Sequence, residues 1–287
     1  MSANLKPFKD YISSIAKELA AGNATEHTHR PALKTLLTKI TLADLFTLMN
    51  GVFGFLAIMY IIDKLFFAAS LLICGGMVMD SLDGMLAHRF GSQRTIGRYL
   101  DSISDSITFC MAPAVMLYGM FYNPPQGLGF SMQNALVLLA AAIYAVCGLL
   151  RLARFTGKQF TEPMFLGLPT PAAALGMIVF CNLFGGEMAH GLSLMYQPAV
   201  PIGLAAVLAM LMICNFPYPK LRGRMVYLFS AIVAVCMLAL LLASLYWYSL
   251  FPMLKQVLTW FVLGIFLFYL LGGPVYEKIR RSKNKVL

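Results

Sequence analysis

The sequence predicts an all-α, polytopic membrane helix bundle, and three observations predict it. Of the 287 residues, 60% are hydrophobic and only 12% are charged, about half the charged share of a typical soluble domain. The apolar residues gather into stretches close to the ~20 residues a bilayer core requires, with a mean hydropathy of +0.76 for the chain. The basic residues fall in short clusters on alternate connections between those stretches.

Residues 1–40 read as a polar cytoplasmic segment with no uninterrupted apolar core of the kind a secretory leader carries. Within it, the PFKDYISSIAKELA segment places Ile12, Ile15, Ala16 and Leu19 on one side, which predicts an amphipathic helix lying on the membrane surface. Residues 41–287 read as one transmembrane domain. Its apolar stretches run near 42–62, 65–87, 97–121, 133–153, 167–186, 197–215, 225–247 and 252–275, which makes about eight transmembrane helices. With both termini in the cytoplasm, the inside segments carry 20 of the 22 Lys and Arg residues, leaving Lys64 and Lys255 outside. The same clustering argues against a nucleic-acid-binding face, despite a net charge of +10. The six cysteines lie in or beside apolar runs without CxxC or disulfide spacing, and read as small buried hydrophobes.

Four of the twelve acidic residues crowd into one apolar window, DSLDGMLAHR followed by GRYLDSISD. A carboxylate at membrane depth is costly, and normally faces a cavity, a partner or an ion. Asp80 and Asp83 are spaced i, i+3, and Asp101 and Asp105 are spaced i, i+4, so each pair shares a helix face. The basic connection 88–96 reverses the chain between them, so two antiparallel helices can bring the pairs together. Four carboxylates in one place need cations, and oxygen-only ligation favours Mg²⁺ or Mn²⁺. Two such ions could clamp a diphosphate. Gly84 and Gly97 would allow either close substrate approach or close helix packing. His88, Arg89, Arg94 and Arg98 would sit at the cytoplasmic mouth, as phosphate contacts or as topology anchors.

In this window the sequence resembles the CDP-alcohol phosphotransferase family, whose pattern is D-x2-D-G-x2-A-R followed by G-x3-D-x3-D. Asp80, Asp83, Gly84, Ala87, Gly97, Asp101 and Asp105 stand at matching spacings, with His88 where the family has Arg and Arg89 one place later. TLMNGVFGFLA (47–57), CGLLRLARF (147–155), FLGLPTPAAA (165–174), NFPYPKLR (215–222) and FYLLGGPV (268–275) are similar to the phosphatidylserine synthase branch. That branch usually has Asn where this chain has Thr156, and often Ser near Cys214.

The resemblance implies a CDP-lipid donor such as CDP-diacylglycerol, an L-serine acceptor and release of CMP at the cytoplasmic face of the cell membrane. It implies that Asp80, Asp83 and Asp101 hold metal, and that Asp105 is both ligand and general base. It also implies a homodimer. Asn50, Gly84, Ala87, His88, Arg89, Arg94 and Gly97 are the candidate CDP-lipid contacts. Asn50 has the alternative of an interhelical hydrogen bond, and Asp44 reads as a helix cap. Arg151 and Arg154, spaced i, i+3, are candidates for the serine carboxylate or a phosphate, against simple positive-inside anchoring. Glu187 and His190 read as a solvated loop. Rival readings keep the chemistry with CDP-archaeol as donor or another alcohol as acceptor. A cation transporter would instead require broken midplane helices and an internal repeat, and the sequence shows no repeat.

Overall fold

The computed structural model describes residues 41–90, 95–123, 131–157, 165–185, 198–214, 217–218, 235, 257, 259–267 and 269–272. The chain divides into two compact units, Met1–Thr41 and Leu42–Leu287, and the described elements belong to the second. The expected N-terminal amphipathic helix and the expected 225–247 span lie outside the described residues, Val235 apart.

Two long apolar helices open the bundle, α1 (Leu42–Ile62) and α2 (Phe66–Phe90). At 1.5 Å per residue, the 21 residues of α1 span about 31 Å, the thickness of a bilayer core. The helix ends in a Schellman motif: the Leu65 amide bonds the Tyr60 carbonyl at 2.8 Å and the Lys64 amide bonds Ile61 at 3.0 Å. Lys64 takes the left-handed conformation (φ 62°) that the motif requires. The chain then reverses into α2, which packs along α1.

The third rod has three parts: α3 (Thr95–Asp105), a π-helical turn (Ser106–Met111) and α4 (Ala112–Phe121). α5 (Met132–Gly157) follows, with the Ser131 hydroxyl accepting the Asn134 amide at its start. The Asn134 side chain bonds both backbone groups of Asn123, tying the end of α4 to the start of α5.

α6 (Thr170–Gly185) is buried along most of its length and forms the centre of the bundle. Gly176 admits the Phe266 ring, on a helical stretch over Thr259–Gly272 (α8), against its backbone. α7 (Ala199–Ile213) packs on α5 and α6. The core is built from Tyr144, Phe109, Phe121, Met177, Leu208 and Phe266.

A two-residue antiparallel pairing joins β1 (Phe165–Leu166) to β2 (Pro217–Tyr218). Beside it, Gly167 has φ 86°, and a Cβ there would lie 2.5 Å from the Met212 carbonyl oxygen. Two segments that carry the family resemblance, 165–174 and 215–222, therefore meet in space.

Four helices are long and apolar enough to cross a membrane among the described residues: Leu42–Ile62, Phe66–Ala87, Gly97–Phe121 and Met132–Arg154. They coincide closely with the first four expected spans. The next two are shorter than expected: α6 has 16 residues and α7 has 15. Pro169 and Pro171 set the start of α6 later than the hydropathy window, and the Cys214 bend ends α7 early. The outer faces of α1 and α5 expose rows of large apolar side chains, including Leu45, Val52, Phe55, Leu139, Val146 and Leu150. Such continuous apolar faces suit lipid, and the chain is a membrane protein.

Candidate active site

α1 carries no aspartate of the cluster, yet it arranges the site. It packs against both α2 and α3, so carboxylates from those two helices meet beside it. Close approach comes from small residues. Thr108, in the π-turn, fills the space between Gly54 of α1 and Gly76 of α2. A Cβ on Gly54 would lie 2.7 Å from Thr108 Cα, and one on Gly76 would lie 2.5 Å from Thr108 Cγ2.

Ligand atoms of Asp80, Asp101 and Asp105 all lie within 4.8 Å of one another. Asp83 is held separately: the Thr47 hydroxyl donates to its Oδ2 at 2.6 Å. One turn further along α1, Asn50 Nδ2 donates to Asp105 Oδ1 at 2.9 Å. The Asn50 carbonyl in turn accepts from the Thr108 hydroxyl at 2.8 Å. Asn50 is fully buried, Asp83 is 6% exposed and Asp105 is 8% exposed, so this machinery lies inside the bundle.

The residues fit a divalent cation. Like charges this close repel by about 3 kcal/mol per pair at an effective dielectric of about 20, so the ionised trio needs compensation. Among the described residues, two buried oxygens, Asp101 Oδ1 and Asn50 Oδ1, find no hydrogen-bond partner. Aspartate oxygens converging on one spot are the donor set of a hard cation. The group formed by Asp80, Asp101 and Asp105 could hold one.

The remaining expected residues fall into distinct places. Among the described residues, a Cβ on Gly84 would meet nothing within 4 Å, and Gly84 is exposed on the helix beside Asp83. A Cβ on Gly97 would lie 3.0 Å from Asp44 Oδ1, so Gly97 makes room for that side chain. Ala87 is half-buried near the end of α2. His88 and Arg89 lie on α2 with side chains outside the described residues, and Arg94 lies outside them altogether. The i, i+3 pair on α5 divides: Arg151 is buried, donates to Thr170 Oγ1 at 3.1 Å and has Asp105 as an electrostatic neighbour, whereas Arg154 is exposed. Thr156 shares a 2.6 Å hydroxyl hydrogen bond with Ser102, the residue after Asp101, joining α5 to α3. No disulfide joins the described cysteines, and Cys236 lies outside the description.

The family pattern and this geometry agree with direct comparison. Residues 40–211 match the sequence model of the CDP-alcohol phosphatidyltransferase family. The chain belongs to that family. It is 33% identical over 213 residues to the CDP-diacylglycerol–serine O-phosphatidyltransferase of Methanocaldococcus jannaschii, covering 72% of this chain and 90% of that protein. The enzyme of the same name from Bacillus subtilis is 30% identical over 176 residues, 61% of this chain and 88% of the relative. The archaetidylserine synthase of Methanothermobacter thermautotrophicus is 32% identical over 197 residues, 66% of this chain and 74% of the relative.

The family match covers all four aspartates and the α1 residues that hold two of them. Thr47 and Thr108 were not legible as functional residues. Threonine is common in membrane helices, and only the rotation of α1 against α2 and α3 shows which hydroxyl reaches a carboxylate. Asn50 stood out as a polar residue in an apolar run. Its hydrogen bond to Asp105 favours the interhelical reading over a direct substrate contact.

Proposed function

We propose that this protein transfers a phosphatidyl group from CDP-diacylglycerol to the hydroxyl of L-serine, giving phosphatidylserine and CMP. The observation that carries the reading is the convergence of Asp80, Asp101 and Asp105, with Asp105 oriented by Asn50, inside the motif that defines the family. The serine oxygen attacks the lipid-side phosphorus, the bond from that phosphorus to the CMP oxygen breaks, and the hydroxyl proton passes to Asp105. A serine hydroxyl is a poor nucleophile, and a positioned carboxylate that takes its proton as the new bond forms lowers that barrier. Mg²⁺ or Mn²⁺ held by Asp80, Asp101 and Asp105, with Asp83 completing a second position, would supply charge neutralisation for the diphosphate. The open surface at Gly84 admits the nucleotide end of the donor. Among the described residues, Arg151, buried between α5 and α6 with Asp105 as an electrostatic neighbour, is a cation placed to meet the serine carboxylate or a phosphate. Residues 41–287 form the catalytic membrane domain, and the alternation of basic residues supports a site facing the cytoplasm.

The test is CMP release from CDP-diacylglycerol by the purified protein with Mg²⁺ or Mn²⁺ and a panel of alcohols. Serine must exceed glycerol phosphate and inositol phosphate, and equal rates with all three would end the assignment to serine. A second donor, CDP-archaeol, is favoured by the similarity to an archaetidylserine synthase. The two donors share the reacting diphosphate and differ in their tails, so the same assay run with each separates them.

A further inference from the structure

The backbone immediately after Asp105 departs from the α-helix, and sequence explains why it needs help to do so. Pro113 has no amide hydrogen, so it cannot bond the carbonyl four residues back, Phe109, nor the one five back, Thr108. The chain takes a π-helical turn over Ser106–Met111, in which the Ala112 amide bonds the Ile107 carbonyl. An extra residue per turn rotates everything before it relative to everything after it, and such turns gather at functional sites.

Two side chains hold the turn from opposite sides. Thr108 bonds the Asn50 carbonyl on α1 at 2.8 Å. On α5 the Tyr144 hydroxyl donates to the Phe109 carbonyl at 3.1 Å, taking the role Pro113 cannot fill. Tyr144 is completely buried. One helical turn along α5, Gly148 lets Cys110 of the same π-turn press in: a Cβ there would lie 2.6 Å from its sulfur. The Tyr144–Gly148 stripe of α5 is therefore fitted to the backbone of the turn.

We propose that Tyr144 is a positioning residue for Asp105. Its hydroxyl fixes the π-turn, and the turn fixes the direction in which Asp105 leaves the helix towards Asp80 and Asp101. The inference rests on the reading of Asp105 as metal ligand and base.

The test uses the full-length protein and two readouts, Mn²⁺ affinity by electron paramagnetic resonance and kcat for CMP release. Tyr144→Phe keeps the ring and its burial and removes only the donor. Mn²⁺ binding is expected to weaken and kcat to fall, each by about tenfold, the scale seen for groups supporting a metal ligand, with the KM for CDP-diacylglycerol within about twofold. Adding Pro113→Ala to Tyr144→Phe restores an amide hydrogen opposite the Phe109 carbonyl and is expected to recover both quantities. Loss of a packing contact would show no such recovery. Mn²⁺ affinity within twofold of the parent in Tyr144→Phe, or a double variant as defective as the single one, overturns the proposal. A parent protein that binds Mn²⁺ but releases no CMP with any alcohol refutes the transferase reading instead, and the Mn²⁺ arm still decides the role of Tyr144.

Discussion

Removing the donor that holds Asp105 gives the sharpest check on how the site works. Asn50→Ala deletes the amide that donates to Asp105 Oδ1 at 2.9 Å while leaving the backbone carbonyl that accepts from Thr108. A hydrogen bond to a charged group contributes about 1.5–3 kcal/mol, and both partners here are buried, so solvent offers little replacement. If that contribution is expressed in orienting the base, kcat falls by roughly 10- to 100-fold, at about 1.4 kcal/mol per factor of ten. If Asn50 acts through its bond to Asp105, the proposed base, the KM for the CDP-lipid should stay within about threefold. Saturation kinetics of CMP release, with donor and serine varied in turn, separate the two quantities. A variant with unchanged kcat and a raised donor KM would refute the argument and return Asn50 to the role of a nucleotide contact.

Three further outcomes follow from the same geometry. Asp105→Asn should abolish turnover while CDP-lipid binding, followed by protection of the folded protein against heat, remains near that of the parent; substantial residual turnover would remove Asp105 as base. Thr47→Val keeps the shape of the side chain but removes the donor to Asp83 Oδ2, and should raise the Mg²⁺ or Mn²⁺ concentration for half-maximal activity by about tenfold, as read from metal titrations of initial rate. Gly76→Ala drives a methyl group into Thr108 and Asn50 and should destabilise the fold by about 1–3 kcal/mol, seen as a lower unfolding temperature in detergent, whereas Gly84→Ala should leave that temperature unchanged.

The readable part of this protein was periodic or costly. The spans 42–62 and 97–121 announce themselves because lipid tolerates few polar residues over about 30 Å, and the structure places α1 and the α3–α4 rod there. The aspartates were legible because charge in apolar surroundings is expensive and because their spacing puts each pair on one face. What escaped was set by rotation and register. Asp83 bonds Thr47 of α1, whereas Asp80, Asp101 and Asp105 converge on one another. Arg151 and Arg154 share an i, i+3 spacing, yet only Arg151 turns into the bundle. The π-turn has a sequence cause in Pro113, but its partner, Tyr144, lies 31 positions further along the chain, beyond any local pattern. The pairing of Phe165–Leu166 with Pro217–Tyr218 is likewise a long-range contact between two short segments that carry no strand periodicity of their own.

α1 has a consequence that reaches beyond the site. It is a near-rigid rod matched in length to the hydrocarbon layer, and it grips carboxylates on two other helices from adjacent turns, through Thr47 and Asn50. Helices respond to a change in bilayer thickness by tilting, at a modest cost per ångström of mismatch. Thr47 and Asn50 sit one turn apart on that rod, so any displacement of α1 within the lipid would be felt at Asp83 and Asp105 together.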